Sequence, residues 1–205
     1  EDYFASPDAN PDVAGNLKRI HGRLRRMDTL TRSIMEYSKV GVEKDGDDSL
    51  SLEELIENLT QDFGLGKDQL QLAGDVKVVQ ADAFNLRRVL EYLVGNAVKY
   101  HDGKSRLRVL ISAQAAGHLC RISVTDNGPG IAPEFHQRVF DVFQTLQAAE
   151  GTDSTGIGLA IVKKAVAHHG HAVTLTSSVG QGATFAFDWP NEPQSGAYDV
   201  QTKAA

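Results

Sequence analysis

The sequence predicts an α+β fold, a two-layer α/β sandwich with a mixed, largely antiparallel sheet and helices on one face, preceded by a single bundle helix. Two observations carry this prediction. Between residues 17 and 34, apolar side chains recur at spacings of three and four, which is typical of a helix in a bundle. After residue 50, helical and strand-like segments follow one another without regular alternation, which favours helices layered on a largely antiparallel sheet.

The N-terminal part divides into three segments. Residues 1–13 are predicted to be a loop because Pro7 and Pro11 stand among Asp, Asn and Ser. Residues 14–41 form the bundle helix, and residues 42–49 form a polar linker. One helix cannot bury its apolar stripe alone, so we expect a partner helix. The stripe consists of Leu17, Ile20, Leu24, Met27, Thr31 and Ile34.

Residues 50–190 form the main domain, and residues 191–205 form a frayed tail. Ser51 and Glu54 have the spacing of a capping box and open a helix to about Phe63. Asp82 caps a second helix that ends near Tyr100. A third helix covers residues 155–168. The predicted strands are 107–113 and 119–125, which pair around Gly117, followed by 172–176 and 183–189.

The amino-acid composition excludes some classes of partner. The chain of 205 residues carries 27 acidic against 21 basic side chains, so nucleic acid is a poor partner. The single cysteine, Cys120, lies in an alternating apolar run and is predicted to be a buried thiol. No run of about 18 apolar residues occurs, so we expect no membrane contact and a cytoplasmic location, although the parent protein could be membrane-attached.

Two segments offer polar groups suited to a nucleotide. In Gly95-Asn-Ala-Val-Lys-Tyr100, Asn96 can offer an amide oxygen to magnesium while Lys99, on the same helical face, meets phosphate. In Asp126-Asn-Gly-Pro-Gly-Ile131, the two glycines let a ligand approach the backbone, and the aspartate can accept a hydrogen bond from an exocyclic amine. Taken singly, an Asn and a Lys on a helix are more often a solvated surface, and Asp-Asn-Gly is as well explained by a plain turn.

A third segment, Gly151-Thr-Asp-Ser-Thr-Gly-Ile-Gly-Leu159, is rich in glycine and opens a helix. Its backbone N–H groups and the helix dipole can therefore face phosphate groups. It is not a P-loop, because no Gly-Lys-Ser/Thr follows.

The order Asn96, Asp126-Asn-Gly-Pro-Gly130, Phe140-Asp-Val-Phe143 and Thr155-Gly-Ile-Gly-Leu-Ala-Ile161 resembles the ATPase fold shared by gyrase, heat-shock ATPases, histidine kinases and mismatch-repair proteins. Sensor histidine kinases of phytochrome-like type are the most similar branch. Residues 24–30 and 34–41 resemble the second helix of the dimerisation and phosphoacceptor hairpin. The first helix, which would carry the phosphoacceptor histidine, is absent, and His21 is not expected to replace it.

The resemblance implies a site for ATP or ADP with Mg²⁺. Asp126 would hold the adenine amino group, supported by the hydroxyl of Thr184, and Tyr100 would line the base. Asn96 would ligate magnesium and Lys99 would meet phosphate. Residues 132–154 would form a lid packed down by Phe140 and Phe143. The remaining members of the implied site are Gly128, Gly130, Ile131, Thr155, Gly156, Gly158 and Leu159.

The sequence departs from the family pattern at two positions. Tyr92 stands where the family usually has asparagine or glutamate, and its neighbour Glu91, a candidate catalytic group, is expected to point about a quarter-turn away. Thr145 stands where related kinases often have an arginine that reaches the terminal phosphate. ATP binding is therefore a firmer expectation than phosphoryl transfer.

The implied function is the ATP-binding catalytic region of a two-component sensor histidine kinase. It would transfer the γ-phosphoryl group to a histidine of the hairpin, for relay to a response regulator receiver domain, and would form a homodimer through the N-terminal helix. Two alternatives stay open: a degenerate kinase acting as a nucleotide-binding interaction module, and an ATPase of gyrase or mismatch-repair type. A zinc site at His168, His169 and His171 is disfavoured, because these residues suit a helix C-terminus and no cysteine or carboxylate completes the set.

Overall fold

The computed structural model describes residues 11–41, 49–145 and 155–191. Within them are four α-helices: α1 Pro11–Lys39, α2 Leu52–Asp62, α3 Ala83–Lys99 and α4 Gly158–His168. The strands are β1 Leu50–Ser51, β2 Leu70–Gly74, β3 Val78–Val79, β4 Val109–Ala116, β5 Leu119–Asp126, β6 Thr174–Ser177 and β7 Ala183–Pro190.

The main sheet has five strands in the order β2-β4-β5-β7-β6. The β2–β4 pair is parallel, and the other three pairs are antiparallel. The predicted mixed, largely antiparallel α+β sandwich is therefore confirmed. The short strands β1 and β3 form a separate antiparallel ribbon. Strand β2 was not predicted, because its pairing with β4 depends on a partner 39 residues away along the chain.

One face of the main sheet carries the core. Along β5 and β7 alternate side chains are buried and pack against the apolar faces of α3 and α4. Cys120 is fully buried, as predicted, and burial raises the pKa of its thiol to about 11. The opposite face is polar, and there Arg121 Nε donates to Asp188 Oδ1 at 2.8 Å. The sheet thus has one packed face and one solvated face.

Helix α1 begins at Pro11, so the prediction of a loop through residue 13 is wrong at its C-terminal end. Proline is tolerated in the first turn of a helix, where its missing N–H has no intrahelical partner. Residues 1–10 lie outside the described part of the chain. At the other end, Val40 is buried in the core of the main domain, and Lys164 Nζ of α4 donates to the Tyr37 carbonyl at 2.6 Å. Helix α1 is therefore docked on the domain by its C-terminal end.

The two predicted helix caps are present. The Ser51 hydroxyl accepts from the Glu54 amide at 3.4 Å, and the Asp82 carboxylate accepts from the Asn85 amide at 3.4 Å. His169 Nε2 lies 2.9 Å from the same carboxylate. Burial alone would raise the pKa of Asp82, but the hydrogen bonds from His169 and Asn85 outweigh it and lower that pKa. His169 also packs edge-on against Trp189, with ring centroids 4.5 Å apart, so this histidine is a packing residue.

Candidate functional site

A cavity of about 560 Å³ lies between α3, the N-terminus of α4 and the loop after β5. Helix α1 closes one side of it through Thr29 and Glu36. Of the thirteen residues expected to bind nucleotide, eleven line this cavity. They are Asn96, Lys99, Tyr100, Asp126, Gly128, Gly130, Ile131, Thr155, Gly156, Gly158 and Leu159.

Helix α3 contributes a polar stripe to the cavity. Arg88, Tyr92, Asn96 and Lys99 all line it, and their spacings of four, four and three place them on one helical face. Glu91 lines it as well, although the sequence suggested that it would point away. Burial raises the pKa of Glu91. The cavity is therefore wide enough to receive two adjacent rows of side chains from one helix.

Asp126 ends β5 and forms the floor of the cavity. Its Oδ1 accepts a hydrogen bond from the Gly128 amide at 2.8 Å. Burial raises the pKa of the Asp126 carboxyl, and the hydrogen bonds from the Gly128 and Ala183 amides offset only part of that effect. A half-buried carboxylate with one oxygen held by its own loop is suited to accept a hydrogen bond from a ligand.

The loop after Asp126 is braced from two sides. On one side Asn127 Oδ1 accepts from the Arg108 amide at 2.7 Å, and its Nδ2 donates to the Arg106 carbonyl at 2.9 Å. On the other side the Ser177 hydroxyl accepts from the Ile131 amide at 2.8 Å. Sequence reasoning missed both roles. The adjacency of Asn127 to Asp126 offered a signal, whereas Ser177 offered none.

Close packing of backbone explains two glycines near Asp126. A Cβ at Gly130 would lie 2.0 Å from the Ser178 carbonyl oxygen, and one at Gly182 would lie 1.9 Å from the Asp126 carbonyl oxygen. Both glycines have positive φ, at 71° and 76°. A side chain at Gly182 would displace the strand end that carries Asp126, and one at Gly130 would displace the backbone at Ser178.

The opposite end of the cavity is formed by the N-terminus of α4. No side chain of the described residues caps this helix, so its first amides are available to an anion. A Cβ at Gly158 would lie 2.9 Å from Cδ1 of Tyr92, which shows that the tyrosine ring contacts this helix end. The Phe143 amide donates to the Gly156 carbonyl at 2.9 Å and holds the preceding turn.

Two expected contacts differ from the structure. Phe143 is 55% exposed, has a φ of 66° and does not line the cavity, so among the described residues it does not pack the lid down. Phe140 is buried edge-on against Phe185, with ring centroids 6.1 Å apart. The Thr184 hydroxyl pairs with that of Thr125 at 3.0 Å instead of supporting Asp126. Of the expected lid, residues 146–154 lie outside the described residues.

A contact between α1 and α3 was not foreseen. The Tyr92 hydroxyl donates a hydrogen bond to Glu36 Oε2, and Arg88 Nη2 lies 3.8 Å from the same oxygen. Burial and the neighbouring Glu36 carboxylate raise the pKa of Tyr92 well above its ordinary value. Tyr92 therefore stays protonated at neutral pH and acts as a hydrogen-bond donor. These three residues form a cluster at the α4 end of the cavity.

A cavity with a carboxylate at one end and an uncapped helix N-terminus at the other, in an α+β sandwich, suits a protein that binds a nucleotide. Residues 81–193 match the family model of histidine kinase-, DNA gyrase B- and HSP90-like ATPases, and the chain belongs to this family. It is 32% identical over 168 residues to phytochrome-like protein Cph1 of Synechocystis, covering 80% of this chain and 22% of that protein. It is 42% identical over 112 residues to the sensor histidine kinase AruS of Pseudomonas aeruginosa, covering 50% and 11%.

Solved structures show the same fold. Full-length ShkA in complex with AMPPNP matches with a TM-score of 0.63 and 26% identity, covering 88% of this chain and 39% of that chain. The catalytic domain of histidine kinase ThkA matches with a TM-score of 0.57 and 27% identity, covering 71% and 96%. The chain thus spans about a fifth of Cph1 and nearly all of an isolated kinase catalytic domain. Within the described residues, no helix has both the length and the apolar character needed to cross a membrane.

Proposed function

We propose that this chain is the ATP-binding catalytic region of a two-component sensor histidine kinase. It binds Mg-ATP and transfers the γ-phosphoryl group to a histidine on the first helix of a dimerisation hairpin, of which α1 is the second helix. The observation that carries the proposal is the convergence of Asp126, Asn96, Lys99 and the α4 N-terminus on one cavity. The AMPPNP complex of ShkA, a relative in structure, supports the choice of nucleotide.

The nucleotide lies along the cavity with its base at Asp126. The carboxylate accepts a hydrogen bond from the exocyclic amine of adenine, and Tyr100 and Ile131 line the ring. The phosphates run toward α4, where the amides around Gly156 and Gly158 and the helix dipole attract them. Lys99 lines the same cavity and supplies a positive charge to the phosphate chain.

The donors near Asn96 suit magnesium. Asn96, with an amide oxygen, and Glu91, with a carboxylate, both line the cavity. Magnesium prefers a few oxygen ligands of this kind together with substrate phosphates. Magnesium bound there would neutralise phosphate charge. Because phosphoryl transfer depends mainly on positioning and charge neutralisation, the residues of this chain chiefly hold the triphosphate in place.

The partners follow from the same assignment. The phosphoacceptor hairpin receives the phosphoryl group, a response regulator receiver domain takes it next, and two copies of the chain pair through α1. Relatives include the sensor histidine kinase AruS and the sensor-like histidine kinase SenX3, so an ATPase of gyrase or mismatch-repair type is not favoured. A degenerate kinase would bind nucleotide at the same cavity without transferring phosphate.

The test is transfer in trans. The chain is incubated with ATP labelled on the γ-phosphate, alone and together with a separately supplied hairpin that carries the phosphoacceptor histidine. We expect acid-labile label on the hairpin and none on the chain alone, with Asp126→Asn as the matched variant that reduces transfer. Binding of ATP without transfer under any condition would identify a degenerate module. Robust label on the chain alone would overturn the proposal.

A further inference from the structure

Arg88 is a partly buried cation to which the proposed function assigns no role. Among the described residues lining the cavity, Arg88 and Lys99 are the two basic ones. The Arg88 side chain is only 13% exposed, and its Nη2 finds no hydrogen-bond partner within the described residues. Its ionic partner, Glu36 Oε2, lies 3.8 Å from Nη2, beyond hydrogen-bond distance. The guanidinium carbon lies 5.5 Å from the centroid of the Phe84 ring, a contact that leaves the Nη2 donor unmet. A buried donor of this kind is costly unless an anion accepts from it.

The position of Arg88 fits the far end of the phosphate chain. Tyr92 contacts the N-terminus of α4, and Arg88 lies one helical turn beyond Tyr92, on the side away from Asn96 and Lys99. Eight residues separate Arg88 from Asn96, which corresponds to about 12 Å along the helix axis. A nucleotide with its base at Asp126 and its magnesium near Asn96 therefore extends its last phosphate toward Arg88.

Thr145 gives a second reason to look for a cation here. It lines the cavity from the segment after Phe143, but a threonine brings no charge to the terminal phosphate. A guanidinium offers several donors in a planar fork that suits phosphate oxygens. Arg88 can supply from α3 the charge that Thr145 does not supply from the segment after Phe143.

We propose that Arg88 binds the terminal phosphate of a nucleoside triphosphate, and that the Glu36 carboxylate of α1 occupies this anion position when no triphosphate is bound. The proposal rests on the nucleotide assignment above. When a nucleoside diphosphate is bound, Arg88 stays paired with Glu36. When a triphosphate is bound, its terminal phosphate competes with Glu36 for Arg88. The site thereby distinguishes ATP from ADP, and triphosphate binding loosens one contact between α1 and the domain.

The experiment measures affinities for ADP and for a non-hydrolysable ATP analogue, each with magnesium, by calorimetry on the full chain. Arg88→Gln should weaken the analogue roughly ten- to hundredfold, as expected for one lost charged hydrogen bond, and change ADP by less than about threefold. Arg87→Gln is the matched control, since Arg87 is the adjacent arginine on α3 and does not line the cavity. Glu36→Gln should tighten the analogue several-fold and leave ADP unchanged.

Asp28→Asn is the matched control on α1, because Asp28 pairs with Arg32 one turn away on an exposed surface. Retained ADP affinity in the variants shows that they are folded. The assignment of Arg88 to the terminal phosphate would be overturned if Arg88→Gln lowered the affinities for both nucleotides equally, or if Glu36→Gln left the affinity for the analogue unchanged. Neither result would contradict nucleotide binding itself. If the unmodified chain bound neither nucleotide, the proposed function itself would fail.

Discussion

Replacing Asp126 by asparagine is the sharpest test of the adenine end of the cavity. The substitution conserves shape and keeps an oxygen that can accept from the Gly128 amide, which holds the present carboxylate at 2.8 Å. It removes the negative charge and turns one acceptor into an N–H donor. Adenine presents an exocyclic amine at this point, so two donors would face each other in the variant.

The size of the effect follows from the setting of the carboxylate. A hydrogen bond to a charged group contributes about 1.5–3 kcal/mol, and each 1.4 kcal/mol is a factor of ten in affinity. We therefore expect ATP and ADP to bind roughly 10- to 150-fold more weakly. Guanine carries a carbonyl oxygen at the corresponding position, to which asparagine can donate, so GTP should lose little or gain.

The fold should tolerate this change. Because burial raises the pKa of Asp126, the ionised carboxylate lowers stability at neutral pH, and this cost fades as the pH falls through the raised pKa. An asparagine has no such charge, so the free energy of unfolding at neutral pH should stay the same or rise. Calorimetric titrations measure the affinities for ATP and GTP, and urea denaturation measures the free energy of unfolding. Equal losses for the two nucleotides would refute the assignment of Asp126 to the base.

Three further predictions concern other parts of the molecule. Affinity for ATP should fall on acidification, starting at a higher pH than for an ordinary aspartate because the pKa of Asp126 is raised, and Asp126→Asn should flatten this dependence in titrations across pH. Gly182→Ala should lower the free energy of unfolding, measured in urea, by several kcal/mol, since its Cβ would lie 1.9 Å from a backbone oxygen. Gly117 also has a positive φ but faces open space, so Gly117→Ala should lower it by only about 1–2 kcal/mol. Leu24→Glu, on the exposed stripe of α1, should shift the chain toward monomer in sedimentation velocity, and an unchanged dimer would place the self-association elsewhere.

The features that the sequence predicted correctly depend on residues close together along the chain. The caps at Ser51 and Asp82 lie within three residues of their partners, and the buried side of β5 follows from simple alternation. Eleven of the residues expected to bind nucleotide line one cavity, and they were predicted because three short segments carry suitable chemistry in recognisable order. Each of these signals is local, so no knowledge of the packing was needed.

The features that the sequence did not predict depend on contacts between residues far apart along the chain. The parallel pairing of β2 with β4 and the bond from Tyr92 to Glu36 join residues 39 and 56 positions apart. Phe143 is exposed at a residue of positive φ whose amide bonds to the Gly156 carbonyl, a pairing that the spacing of residues does not reveal. Arg88 was overlooked for the same reason: its importance arises only when α1 places a carboxylate beside it.

The arrangement of α1 shows how one helix can serve two partners. Its exposed apolar side chains, Ile20, Leu24, Met27 and Ile34, lie on one face, while Glu36 and Val40 meet the main domain from roughly the opposite face. A hairpin partner can therefore cover the apolar stripe without disturbing the contact at Arg88. A triphosphate that displaces Glu36 changes only the domain-facing side, so the bundle can stay intact while the domain moves against it. By linkage, any signal that pulls Glu36 away from Arg88 must raise the affinity for ATP by the same factor by which ATP favours the state in which this contact is broken.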